Sequence, residues 1–248
     1  MSDAIGIASG EIAPKRRSRL ADFFTRLVRK KPLGTATGII VLLLIFVAIF
    51  AVTLAPYPYR ESHLFDRLQG PSLEYLLGTD HVGRDFLSRL MFGARLSLSV
   101  GLSATALDVL VGLLIGGISG FVAGKYDLLM QRFVDGWIAF PGLLLLLTIM
   151  SITGQGVLQI ILVLGISGGI SGSRVIRSAV IGIKENDYFL AARAIGTPGF
   201  TTLRRHVLPN IMPVMIIIFS ISVGGVIMSE ASLSFLGFGL PVKVPSWG

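Results

Sequence analysis

The chain of 248 residues contains no cysteine, which excludes disulfides and thiolate-held metals. Charge is scarce as well. Asp, Glu, Lys and Arg make up 15% of the sequence, against about a quarter in soluble domains. The only histidines, His63, His81 and His206, are far apart in sequence, and none has a ligand spacing such as H-x-x-x-H, so no metal is expected. No G-x-x-x-x-G-K-[ST] phosphate loop occurs, since the nearest approach, Gly124-Lys125, is followed by Tyr126. No serine sits in a G-x-S-x-G elbow. These absences leave no catalytic constellation and no cofactor cradle. The expectation is a protein that is not an enzyme, with any nucleotide energy coming from a partner. No repeat of fixed period and no low-complexity tract stands out.

What is present is apolar. Hydrophobic residues reach 52% and the mean hydropathy is +0.77, which is membrane rather than soluble composition. Residues 1–33 form a basic arm in which Leu20, Phe23, Phe24, Leu27 and Val28 recur at helical spacing, so Arg19–Lys31 is expected to lie as an amphipathic helix on a membrane surface. Residues 34–55 then run for 22 residues without a charge, enough to span about 30 Å of hydrocarbon and too long for a signal peptide. Residues 56–95 are polar. Further spans are predicted over 96–123, 136–152, 157–173 and 211–229, with a short charged connection at 125–135, a turn at 153–156 and Pro141 as a kink. The architecture is thus an all-α integral membrane protein with five predicted transmembrane helices.

Gly112, Gly116, Gly120 and Gly124 repeat every fourth residue on one face of the second span, and Gly165 and Gly169 do so in the fourth. Such spacing allows close approach of helix backbones, here within the chain's own bundle. Asp108 is the one ionisable residue placed mid-span by this division, and at that depth it should face the bundle interior or a wet cavity. Two readings stay open for it, a place on a translocation path and a structural role satisfied by Ser or Thr.

Orientation follows from counting. With the amino terminus inside, residues 1–33, 124–135 and 174–210 carry 16 Lys and Arg, against 6 in residues 56–95 and the tail. The positive-inside rule therefore places the amino terminus and the loop 174–210 in the cytoplasm. The net charge of +8 belongs to this topology and not to nucleic acid.

The loop Lys184–Asn210 is the longest polar stretch between apolar runs. Helix-forming pieces over Asp187–Ile195 and Phe200–Val207 flank Gly-Thr-Pro-Gly at Gly196–Gly199, where the helical pattern must break. Ala191, Ala192, Ile195, Phe200, Leu203 and Val207 are expected on one side, with Arg193, Arg204 and Arg205 elsewhere. A short amphipathic helix pair of this kind either rests on headgroups or docks against a partner outside the bilayer.

The stretch resembles the conserved loop of bacterial ABC importer permeases, E-A-A, three residues, Gly, nine residues, Ile-x-Leu-Pro. Ala191, Ala192, Gly196, Leu208 and Pro209 stand at matching positions, while Leu190 replaces the glutamate and His206 the isoleucine. Gly78–Gly101 is similar to the segment before the second helix of dipeptide, oligopeptide and nickel permeases. Asp127, Arg132, Asp135 and Pro141 match a further family pattern, with Gln131 where methionine is usual, and Glu230–Gly248 resembles the loop before the family's last helix. For Asp80, Arg84 and Asp85 the residues alone suggest a turn tied by local ion pairs.

The resemblance implies a type I ABC importer permease fold, of the C-type subunit kind, in which the family usually has six spans and this chain lacks the last. It implies a homologous permease subunit, two ATPase subunits and an extracytoplasmic solute-binding protein as partners, with membrane lipid around the spans, in a bacterial inner membrane. It also implies that the coupling loop, through Ala191, Ala192, Arg193, Gly196, Phe200, Arg204, Leu208 and Pro209, docks the ATPase. Dipeptides or oligopeptides are the expected solutes, with nickel complexes or glutathione as alternatives. A channel or secondary transporter working without an ATPase is the rival from another class, and a membrane scaffold a third reading. The expected division is 1–33 arm, 34–55 first span, 56–95 extracytoplasmic segment and 96–248 permease core with the coupling loop 184–210.

Overall fold

The computed structural model describes residues 28–241 and 244–247. Of the expected surface helix Arg19–Lys31, residues 28–30 are helical and Lys31 is not; residues 19–27 lie outside the described residues. The chain divides into two units, one ending at Leu44 and one running from Ile45. The first contains most of helix α1 (Pro32–Ile49), whose Ile39, Ile40, Val41, Leu42 and Leu43 are all more than half exposed. A bare aliphatic surface of this kind suits lipid.

Within the second unit, α2 (Ala51–Leu54) leads into an irregular segment, and then come α3 (Phe86–Val122), α4 (Gly124–Ala139), α5 (Gly142–Thr153), α6 (Val157–Lys184), α7 (Asp187–Ala194) and α8 (Gly199–Phe235). No strand forms among the described residues, which hold one isolated bridge between Thr79 and Asp85. Among the described residues four helices, α1, α3, α6 and α8, are long and apolar enough to cross a membrane, and the count reaches five with the bent pair α4–α5 taken as one span.

The spans differ from the sequence reading at their ends. The second begins at Phe86 rather than at 96, because Asp85 caps it: its carboxylate accepts from the Ser88 amide at 2.8 Å and the Ser88 hydroxyl at 2.6 Å. The stretch read as a charged connection at 125–135 is helical, and the third span breaks by 89° at Phe140–Pro141 between α4 and α5. Proline has no amide hydrogen to continue the ladder, so the break falls there. The fourth span runs on to Lys184, and at 1.5 Å per residue its 28 residues reach about 42 Å, so its basic end projects beyond the hydrocarbon. The fifth continues through Glu230 to Phe235, and the tail folds back over the start of α3, where the Trp247 amide donates to Ser97 Oγ at 3.0 Å and its indole to Leu90 O at 3.2 Å.

The bundle is held by α3, α6 and α8. The glycines of α3 and α6 interlock: a Cβ on Gly165 would lie 2.8 Å from Ala104 O, one on Gly169 2.6 Å from Asp108 O, and one on Gly120 2.9 Å from Arg177 O. A Cβ on Gly116 would collide with the Ser173 carbonyl, and here α3 opens into a π turn, Leu113–Gly117. Gly124 does not belong to this face. It has open space around it and a φ of +67°, and it ends α3 instead of packing it. One apolar cluster, with Val100, Met150, Ile160 and Leu233, fills one part of the bundle, and a second, Ile176, Val180, Phe189, Val207 and Ile211, fills the junction of α6, α7 and α8.

The polar segment before α3 is tied locally, as the residues alone suggested. Asp80 accepts from the amides of Val82 at 2.9 Å and Arg84 at 3.0 Å and pairs with Arg84 Nε at 2.7 Å. Burial pushes its carboxyl up, but these donors outweigh burial and hold it below the usual carboxylate value.

Candidate functional site

The second cluster fixes the loop 184–210 from beneath. Phe189 and Ala192, three residues apart on α7, are 2% and 6% exposed and face inward, and Thr202 and Val207 of α8 are buried beside them. The expected single face is therefore split. Ala192 and Val207 pack inward, Leu203 is half-buried, and Ala191, Ile195 and Phe200 are exposed. Neighbours on a helix stand about 100° apart, so covering one side of α7 buries Ala192 and leaves Ala191 exposed; α7 then stops at Ala194, and Gly196 at φ +76° turns the chain toward α8. The Gly196 amide donates to Arg193 O and the Thr197 amide to Ala192 O, which satisfies the last carbonyls of α7.

Of the residues expected to dock a partner, Ala192 is thus buried and seats the loop, and Leu208 is half-buried. Ala191, Arg193, Gly196, Phe200, Arg204 and Pro209 are exposed. Phe200, Arg204 and Pro209 line one shallow depression of about 450 Å³ with Thr201 and Arg205. Arg193 lines a different cavity of about 510 Å³, between the end of α3 and the loop, with Lys184 and Phe189. Leu190, Ile195 and Phe200 leave large apolar side chains in solvent at 52%, 82% and 75% exposure.

Behind the loop, ion pairs lock the ends of the bundle. Arg177 of α6 holds Asp127 of α4 bidentately, at 2.6 and 2.5 Å, and Arg174 pairs with Asp135. Lys184 Nζ donates to the carbonyls of Gly120 and Phe121 at 3.1 and 3.0 Å, capping the last turn of α3. Sequence reasoning had noted Asp127 and Asp135 only as pattern positions. Their arginine partners lie 50 and 39 residues away, and no local signal links them.

Asp108 lies away from the loop, within α3 and 7% exposed. It lines a cavity of about 290 Å³ with Leu146, Leu164, Ser167, Ser171, Ser222 and Ser229. It is not the only carboxylate within a span. Glu230, which the sequence reading left in the tail, is fully buried in α8, and its Oε1 accepts from Ser234 Oγ at 2.8 Å.

Residues 112–248 match the family of binding-protein-dependent transport system inner membrane components. The chain belongs to that family. It is a multi-pass inner-membrane permease subunit of an ABC importer, and all-α throughout its described residues. Residues 18–71 of the permease match the N-terminal transmembrane domain of oligopeptide transport permease C. An oligopeptide transport permease of Bacillus subtilis is 35% identical over 96% of this chain and 78% of its own length. A glutathione transport permease of Pectobacterium atrosepticum is 34% identical, over 94% and 77%. A dipeptide transport permease of Bacillus subtilis is 35% identical, over 90% and 70%.

Proposed function

We propose that the permease imports dipeptides or oligopeptides, forming half of a translocation path with a homologous permease subunit. Two ATPase subunits drive it, and an extracytoplasmic solute-binding protein delivers the substrate. The basic arm 1–33 and the loop 184–210 face the cytoplasm, residues 56–85 face outward, and Asp108 lines the path. ATP hydrolysis belongs to the partner subunits, because the chain has no phosphate loop of its own. Glutathione, a tripeptide with a free amine, is the second reading, supported by a glutathione permease at similar identity.

The observation that carries the docking role is a bare apolar set on a firmly seated loop. Leu190, Ile195 and Phe200 stand at 52–82% exposure, while Phe189, Ala192 and Val207 beneath them are buried. A loop resting on headgroups has no need of a rigid underside, whereas a lever that transmits a push does. Gly196 tests this. At φ +76° any side chain is strained by about 1 kcal/mol or more, and no atom lies within 4 Å of where its Cβ would be, so the strain falls on the loop and not on the bundle. Gly196→Asp should reach the membrane at normal abundance, fail to capture the ATPase in a pull-down and lose uptake. Equal ATPase recovery by wild type and variant at matched abundance removes the loop as the docking element. Uptake that survives deletion of the ATPase favours an independent channel or secondary transporter.

A further inference from the structure

The cavity around Asp108 has chemistry that neither docking nor packing uses. Ser222 of α8 lines the same cavity as the Asp108 carboxylate. Nearest to that carboxylate, α6 presents two glycines: a Cβ on Gly168 would come within 3.1 Å of Asp108 Cγ and 3.2 Å of Oδ2, and one on Gly172 within 3.6 Å of Oδ1. The two glycines leave the carboxylate uncovered beside the cavity of about 290 Å³ that it shares with Ser167, Ser171, Ser222 and Ser229. Ser171 and Ser229 donate their hydroxyl hydrogens back along their helices, to Ser167 O at 3.0 Å and Gly225 O at 2.9 Å. What remains to these hydroxyls is their capacity to accept.

Among the described residues no basic side chain lines this cavity. A buried carboxylate without a counter-charge is costly in a membrane protein, and the lining of one anion and several acceptors attracts a cation rich in N–H donors. We propose that Asp108, with Ser171 and Ser229, forms a subsite that receives the primary ammonium group of the transported solute. This rests on the peptide-import reading and extends it. An ammonium carries three donors and no acceptor, which is the complement of one carboxylate and two accepting hydroxyls. The α-ammonium is also the one positive group that every free peptide has whatever its side chains. One fixed carboxylate therefore serves a whole class of solutes without reading their sequence. At about 290 Å³ the space sits at the small end of ligand clefts and fits one end of a peptide, not the whole of it.

The test uses the complete importer, copurified with its partner subunits and reconstituted in lipid vesicles with saturating loaded binding protein. Maximal uptake of a dipeptide is compared with that of its N-acetylated counterpart, which keeps the size and loses the ammonium. Asp108→Asn should lower the ratio of free to acetylated uptake about tenfold, the scale of one charge-assisted hydrogen bond, and Asp108→Glu should retain most of it. Gly168→Ala keeps the carboxylate but sets a methyl 3.1 Å from it, and should lower the ratio in the same sense. An unchanged ratio in Asp108→Asn overturns the subsite. If that variant does not accumulate, an unchanged ratio in Gly168→Ala overturns it equally. Wild-type uptake of neither form overturns the peptide reading and the subsite together. Loss of the docking role in the Gly196→Asp experiment leaves the ratio untouched, so the two ideas fail separately.

Discussion

At the scale of single residues, Asp80 shows how a short polar run is made rigid. Two backbone amides and two guanidiniums, of Arg84 at 2.7 Å and Arg89 at 3.8 Å, converge on a carboxylate whose side chain is 14% exposed. Its folded-state pKa is depressed, so the stability it contributes is present above the unfolded value of about 3.9 and is lost as pH falls through the lower folded value. Asp80→Asn should cost about 1–3 kcal/mol at neutral pH, the usual range for hydrogen bonds to a charged group. Thermal unfolding of purified protein checks this, and the gap between wild type and variant should close below about pH 4. A gap independent of pH contradicts the charge-based account. That the turn is tied locally was legible, since Asp80 and Arg84 are four residues apart. That Asp85 caps α3 is missed when residues 56–95 are read as one polar segment. An N-cap aspartate ahead of Phe-Leu-Ser is the signal of the helix start.

At the scale of elements, the glycine ladder and its exceptions separate packing from conformation. Gly116 faces the Ser173 carbonyl with no room for a methyl group, while Gly136 lies inside α4 with nothing within 4 Å. Gly116→Ala should destabilise the purified protein by about 1–3 kcal/mol through overpacking. Gly136→Ala should be neutral or stabilising by up to about 1 kcal/mol through helix propensity. Thermal melts of the two variants side by side decide it, and equal effects would mean that α3 and α6 do not pack as described. The four-residue period predicts close helix contact at Gly112, Gly116 and Gly120, as it does at Gly165 and Gly169, but it also enrols Gly124, which is a helix end. Period alone does not distinguish a glycine that admits a neighbour from one that stops a helix. The split face of the loop has a similar origin. Spacing groups Ala191, Ala192 and Ile195 as one apolar set, but neighbours about 100° apart around a helix part when only one side is covered, and Ala192 is buried while Ala191 is exposed.

At the largest scale, the unit from Ile45 onward is a helical bundle that carries a seated polar loop. The proposed orientation has a direct test, because the chain is free of cysteine. Ser62→Cys and Thr201→Cys, both at exposed positions, should be labelled from opposite sides by an impermeant thiol reagent, Ser62→Cys from outside. Labelling of Thr201→Cys from outside, with Ser62→Cys protected, reverses the topology and removes the loop from any cytoplasmic partner.

The sequence by itself determined the membrane class, the family, the approximate number of spans and the position of the polar loop. Each follows from local or periodic features: apolar runs long enough to cross a bilayer, basic loops on one side, and a motif spread over about twenty residues. Only the tertiary structure decided which loop residues face out, because Phe189 and Ala192 are buried by α6 and α8 and not by their own helix. The Arg177–Asp127 and Arg174–Asp135 pairs likewise needed it, since long-range ion pairs leave no periodicity to read. Tertiary structure also set Asp108 in a serine-lined cavity with no counter-charge among the described residues, by bringing Gly168, Ser171 and Ser222 of two other helices around it. A residue's type is written in the chain, but what stands opposite it across a bundle is set by how the helices pack.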